Sequence, residues 1–147
     1  MIDTRWIGHE LAPSVLPIER TRLRFFAKAT GQTDPIYLER AAARAAGHAD
    51  IPAPPTFLFA ADYDSGAFYR LFSDMGVPLA NLLHAEQGFT YHRLVYVGDT
   101  VTVRTRVADI YSKKGGALEF ICLASRVTGP HDDQLVAELH TVLVWRH

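Results

Sequence analysis

The sequence predicts an α+β domain in which an antiparallel β-sheet wraps around a long central helix. Three observations lead there. Thr56 to Gly76, "TFLFAADYDSGAFYRLFSDMG", is apolar around most of a helical circumference, so it needs burial on several sides. From His84 onward the chain alternates apolar and polar residues and is rich in Val, Thr and aromatics, the pattern of half-buried strands. The 147 residues, 48% of them apolar, suffice for one core, so residues 1–147 are read as a single domain.

Taken in order, "PIERTRLRFFAKAT" from Pro17 to Thr30 sets Leu23, Phe26 and Ala27 on one helical face, with proline suited to the first turn and Gly31 to the stop. Turn chemistry at Asp34-Pro35 leads into an alanine-rich helix over about Leu38 to Ala46, closed by Gly47. "HADIPAPPTF" reads as a stiff loop, because Pro52, Pro54 and Pro55 fix φ and remove three backbone donors. In the apolar helix that follows, Asp64-Ser65-Gly66 marks a kink or an early end. At least four antiparallel strands are expected, near 84–93, 99–111, 117–128 and 134–146, punctuated at Gly98-Asp99, Lys114-Gly115-Gly116 and the segment 128–133.

Charge and cysteine content narrow the functional classes. Fifteen basic and sixteen acidic residues, mixed along the chain, give a formal charge of -1 and no electrostatic reason to expect nucleic acid or an anionic membrane. The lone Cys122 lies in an apolar run, where it reads as a small buried hydrophobe and suits a reducing cytoplasm. No apolar run approaches the roughly 20 residues needed to cross a bilayer, and the start lacks the pattern of a secretion signal. The expectation is a cytoplasmic protein.

Three ordered segments, "FFAKATGQTDPIYLERAAARAAG", "IPAPPTFL" and "HAEQGFTYHRLVYVGDTVTV", resemble the MaoC-like dehydratases, most closely the amino-terminal domain of the FAS1-like dehydratase type. The resemblance covers nearly the whole chain. It implies a hotdog fold and a fatty acyl thioester as substrate, carried on coenzyme A or acyl carrier protein, with no other cofactor and no metal. Catalytic members of this group resemble one another in a Gly-Asp-x-Asn-Pro-[Leu/Ile]-His segment at the mouth of an acyl tunnel. They add water reversibly across a trans-2-enoyl thioester to give the (R)-3-hydroxyacyl form. That reaction needs a paired acid and base, and donors on the thioester oxygen while an enolate develops.

Laid on this sequence, Gly31 matches the glycine, whereas Gln32 takes the aspartate position, Asp34 the asparagine position and Tyr37 the histidine position. Glutamine is no base, and a phenol that ordinarily titrates near 10 is a poor one. Where relatives place a glycine amide toward the thioester oxygen, Pro55 has no N–H, and Thr56 is the nearest usable amide. Asp34 and Tyr37 are therefore the candidate catalytic residues, each set against a plainer use: Asp34 as a turn residue, Tyr37 as a pocket wall.

The candidate substrate-binding residues are Thr56, Phe57, Tyr63, His84, His92 and Arg93, with Phe68 and Phe72 also bearing on acyl chain length. His84, Glu86 and His92 alternate on one expected strand and so share one face, read as a structural hydrogen-bonded row rather than a metal cluster. His48 reads as a solvated or capping imidazole. Arg93, Arg104, Arg106, Lys113 and Lys114 are candidate phosphate contacts, against the usual reading of a solvated face. The leading expectation is a 3-hydroxyacyl-thioester dehydratase or enoyl-CoA hydratase with a degenerate dyad, paired as a homodimer or with a second MaoC-like hotdog. The alternatives are a non-catalytic acyl-thioester-binding subunit of a heterodimer and, behind it, a hotdog thioesterase using Asp34 or Glu86.

Overall fold

A computed structural model describes residues 1–129 and 134–146. Five strands form one antiparallel sheet: β1 (Ser14–Pro17), β2 (Leu82–Tyr91), β3 (Thr100–Lys113), β4 (Leu118–Thr128) and β5 (Leu135–Arg146), in the order β1-β3-β4-β5-β2. The four long strands occur where alternation predicts them. The turn read over 128–133 lies mostly outside the described residues. β1 was not anticipated. It has four residues and ends in Pro17, too short for a periodic signal, yet it pairs Ser14–Pro17 with Val103–Thr100 and extends the sheet beyond β3.

The helices are α1 (Arg20–Thr30), α2 (Arg40–Ala45), α3 (Ala60–Asp64) and α4 (Ala67–Asp74). Gly31, at φ 69°, ends α1 in the left-handed conformation that glycine adopts without strain. The single helix expected from Thr56 to Gly76 is three pieces: a 3₁₀ turn over Phe57–Phe59, then α3, then α4. The division falls at Gly66 (φ 71°), where the Ser65 hydroxyl accepts a hydrogen bond from the Ala67 amide and restarts the helix. The proline loop before it is stitched down, with the Ala53 amide bonded to the Val95 carbonyl and the Val97 amide to the Ile51 carbonyl.

The broken helix lies in the curl of the sheet, between two apolar clusters. One gathers Leu16, Leu23, Phe57, Leu58, Val101 and Val127. The other gathers Phe68, Leu71, Phe72, Ile110, Ile121 and Leu143. Between them a polar island is buried. Asp62 is 4% exposed and accepts hydrogen bonds from the hydroxyls of Ser14 (2.9 Å) and Thr105, while Thr105 also meets Ser125 (2.8 Å). Burial raises the Asp62 carboxyl above the ordinary carboxylate range, and the two hydroxyls pull it partly back. No helix among the described residues is long and apolar enough to cross a membrane.

Candidate functional site

The motif-bearing stretch follows α1 directly. The Gln32 amide closes on the Ala27 carbonyl, and its side-chain oxygen accepts the Asp34 amide at 3.0 Å. Asp34 in turn accepts the Ile36 amide at 3.1 Å and caps a 3₁₀ turn over Pro35–Tyr37, with Pro35 in the first position where no donor is missed. The carboxylate of this stretch thus serves the backbone beside it. Tyr37, half-buried, ends the turn with its ring toward the end of β2, close enough to act electrostatically on the Tyr91 phenol.

The Thr56 amide is the first N–H available after two prolines, and it donates to the Tyr91 hydroxyl at 2.9 Å. Thr56 holds φ 74°, a left-handed conformation costly for a β-branched residue, so its amide direction is held by the tertiary structure. Phe89 stacks on Tyr91 with ring planes 3° apart and centroids at 5.8 Å, setting the phenol's orientation. Burial is the largest influence on Tyr91 and raises its phenol, with Tyr37 acting in the same sense and the Thr56 amide opposing. Sequence reasoning missed Tyr91. It sits at odd parity in a strand where attention fell on the even positions His84, Glu86 and His92.

That row does not share a face. A β-bulge between His84 and Glu86 reverses the side-chain alternation. His84 turns inward, its ring 5.1 Å from Phe59 and its Nε2 3.1 Å from the Glu86 carbonyl. Glu86 turns to the outer face, where burial raises the Cys122 thiol and the Tyr111 phenol and the nearby Glu86 carboxylate adds to both in the same sense. His92 lies just past β2 and pairs with Glu138 at 3.0 Å, also outside.

A seam therefore runs between the broken helix and β2, with Thr56 and Tyr91 at one end. Phe59, Tyr63 and His84 stand along it, with Phe59 to Tyr63 at 4.6 Å and Tyr63 to Phe68 at 4.7 Å. Beyond them is an apolar cavity of about 180 Å³, walled by Tyr63, Phe68, Phe72, Leu82, His84 and Leu143. That volume is below the range of drug-sized ligand sites and suits one slender aliphatic segment. Since β2 is an edge strand, the seam lies along the open edge of the sheet.

The other candidates lie elsewhere. Phe57 is 2% exposed and faces the core, edge-on to Phe26 at 5.4 Å with the Arg22 guanidinium over its ring. His48 rests on Tyr96 with ring centroids 6.1 Å apart. Arg93 is exposed just past the end of β2. Arg104 and Arg106 occupy the outer face of β3, across the sheet from the seam, and Lys113 lies over the rings of Tyr111 and Phe120. Among the described residues, no three His, Cys, Asp or Glu side chains converge in a metal-binding group.

Residues 5–138 match the family described as FAS1-like, dehydratase domain region. A UPF0336 protein of Streptomyces griseus subsp. griseus is 35% identical over 115 residues, spanning 78% of this chain and 77% of that protein. Among solved structures, the C-terminally truncated HadBC (3R-hydroxyacyl-ACP dehydratase) complex of Mycobacterium tuberculosis superposes with a TM-score of 0.80 at 23% identity, over 95% of this chain and 96% of that one. A protein described as a MaoC-like dehydratase superposes with a TM-score of 0.83 at 24% identity, over 96% of this chain but 42% of the longer one. The curled five-stranded sheet with its inner helix is the hotdog fold.

Proposed function

The chain belongs to the FAS1-like dehydratase domain family, and from that membership we propose that it is the acyl-thioester-holding hotdog of a 3-hydroxyacyl-thioester dehydratase or enoyl-thioester hydratase, completed by a second hotdog that supplies the acid and base. One observation supports this reading: Asp34, the carboxylate of the motif-like stretch, caps its own turn through Oδ1 and Gln32 accepts the Asp34 amide, while the sequence resemblance assigns Gln32 and Tyr37 to the family's acid–base positions. The aromatic seam and its terminal cavity support an apolar chain as ligand, and the exposed edge strand supports a neighbour beside β2.

The deciding experiment follows enoyl-thioester absorbance with crotonyl-CoA and a longer trans-2-enoyl-CoA. Purified chain alone is expected to leave both unchanged. Addition of a hotdog chain from the same organism that carries the full Gly-Asp-x-Asn-Pro-x-His stretch is expected to start turnover. Hydration by the chain alone would overturn the proposal, and release of free thiol would point to a thioesterase instead.

The cavity gives a second expectation. Leu79 is 48% exposed at its rim, so Leu79→Trp should fold while narrowing the entrance. Calorimetric titration is expected to show octadecanoyl-CoA binding weakened about tenfold, roughly the effect of losing one or two buried methylene contacts. Crotonyl-CoA, too short to reach, should bind unchanged.

A further inference from the structure

We propose that the Tyr91 hydroxyl receives the carbonyl oxygen of the bound thioester; the inference rests on the acyl-thioester reading above and adds the residue that positions the ligand's head.

A tyrosine hydroxyl accepts through its lone pairs and donates one proton. The Thr56 amide takes the acceptor side at 2.9 Å, while among the described residues nothing accepts the proton. An N–H donating into a phenol oxygen polarises the O–H, so the remaining donor is strengthened and given a direction. Stacking on Phe89 and the left-handed Thr56 fix both ends of the pair before any ligand arrives. Such a preorganised, solvent-accessible donor suits the oxygen of an incoming ligand, and a carbonyl on an apolar chain suits the aromatic wall beside it.

Spacing then bears on chain length. Tyr91 and His84 are seven residues apart on β2, one of them taken up by the bulge between His84 and Glu86, which leaves about 20 Å at the usual strand rise of roughly 3.3 Å. An acyl group that meets Tyr91 with its carbonyl and reaches the cavity beyond His84 with its tail is a long-chain one. Tyr37, at the same end of the seam, adds a second phenol near the thioester head without sharing the Thr56 bond.

The test is isotope-edited infrared spectroscopy of octadecanoyl-CoA carrying ¹³C at the carbonyl, a saturated thioester that no hydratase consumes, bound to the purified chain. The expected result is a carbonyl band moved to lower wavenumber than in solution, restored to its solution position in Tyr91→Phe, with binding about three- to tenfold weaker, as for one lost hydrogen bond. Tyr37→Phe should keep the shift. Should Tyr91→Phe fail to fold, 3-fluorotyrosine at position 91, a stronger donor of nearly the same size, should deepen the shift. A shifted band that persists in Tyr91→Phe, or one that fluorination leaves unmoved, overturns this inference and leaves the acyl-binding reading intact. Absence of any octadecanoyl-CoA binding by the wild-type chain overturns both.

Discussion

Turnover in the two-hotdog assembly is expected to fall by at least about 100-fold when the partner chain loses the aspartate or histidine of its motif, and to change by no more than about twofold when this chain carries Asp34→Asn or Tyr37→Phe. The asymmetry follows from what each group is free to do. A general base must present an uncommitted lone pair to water and hold its proton loosely near neutral pH. Asp34 is exposed and uses Oδ1 to cap its own turn, away from the seam's apolar wall, glutamine at position 32 has no basic atom, and a phenol is chiefly a donor. Asparagine is as good a cap as aspartate, so Asp34→Asn should preserve the turn and isolate any chemical role. Steady-state kinetics on the mixed assembly decide the matter. A drop beyond tenfold with Asp34→Asn at unchanged melting temperature would make Asp34 a base and return catalysis to this chain.

Stability is expected to answer most strongly to Asp62. Removing the side chain in Asp62→Ala leaves the hydroxyls of Ser14 and Thr105 without their acceptor between two apolar clusters, and should cost about 2 kcal/mol, or a melting temperature lower by roughly 5 °C. Asp62→Asn should behave differently. Because burial raises the folded carboxyl above its ordinary value, the wild type is favoured with the proton on. That advantage is fully present below the unfolded value of 3.8 and is lost as pH rises through the raised folded value. Asparagine has no such loss, so the stability of Asp62→Asn relative to wild type should climb with pH across that window and level off above it. Thermal unfolding at a series of pH values checks the slope. A flat or falling difference would mean that the surrounding hydroxyls hold the carboxylate ionised after all.

The parts of the fold legible in the sequence are those whose signal repeats. β3, β4 and β5 are each eleven or more residues long, β3 alternating along most of its length and β4 and β5 carrying apolar, β-branched runs, so one misread position does not erase the pattern. β1 offers four residues and a proline, and becomes a strand only because β3 leaves an edge for it. The broken central helix was half legible: Asp64-Ser65-Gly66 signals an interruption, but the positive φ at Gly66 is needed to seat α4 against its own cluster.

At the candidate site the division is sharper. Gln32, Asp34 and Tyr37 in the stretch that resembles the family's motif are plain in the sequence, and so is the absence of an N–H at Pro55. Asp34's role as a cap was one of two readings there, and the geometry of its turn gives it that place. Tyr91 and its bond to Thr56 were not legible, since they join residues 35 positions apart. The bulge between His84 and Glu86 sends one inward and the other outward, which strict alternation misassigns. Thus the sequence by itself determined the α+β class, the long strands and the buried helix, because these depend on residue type and local period. The tertiary structure alone decided which phenol meets which amide, which histidine lines the seam and where Asp62 is buried, because each depends on the register of distant segments packed around the broken helix.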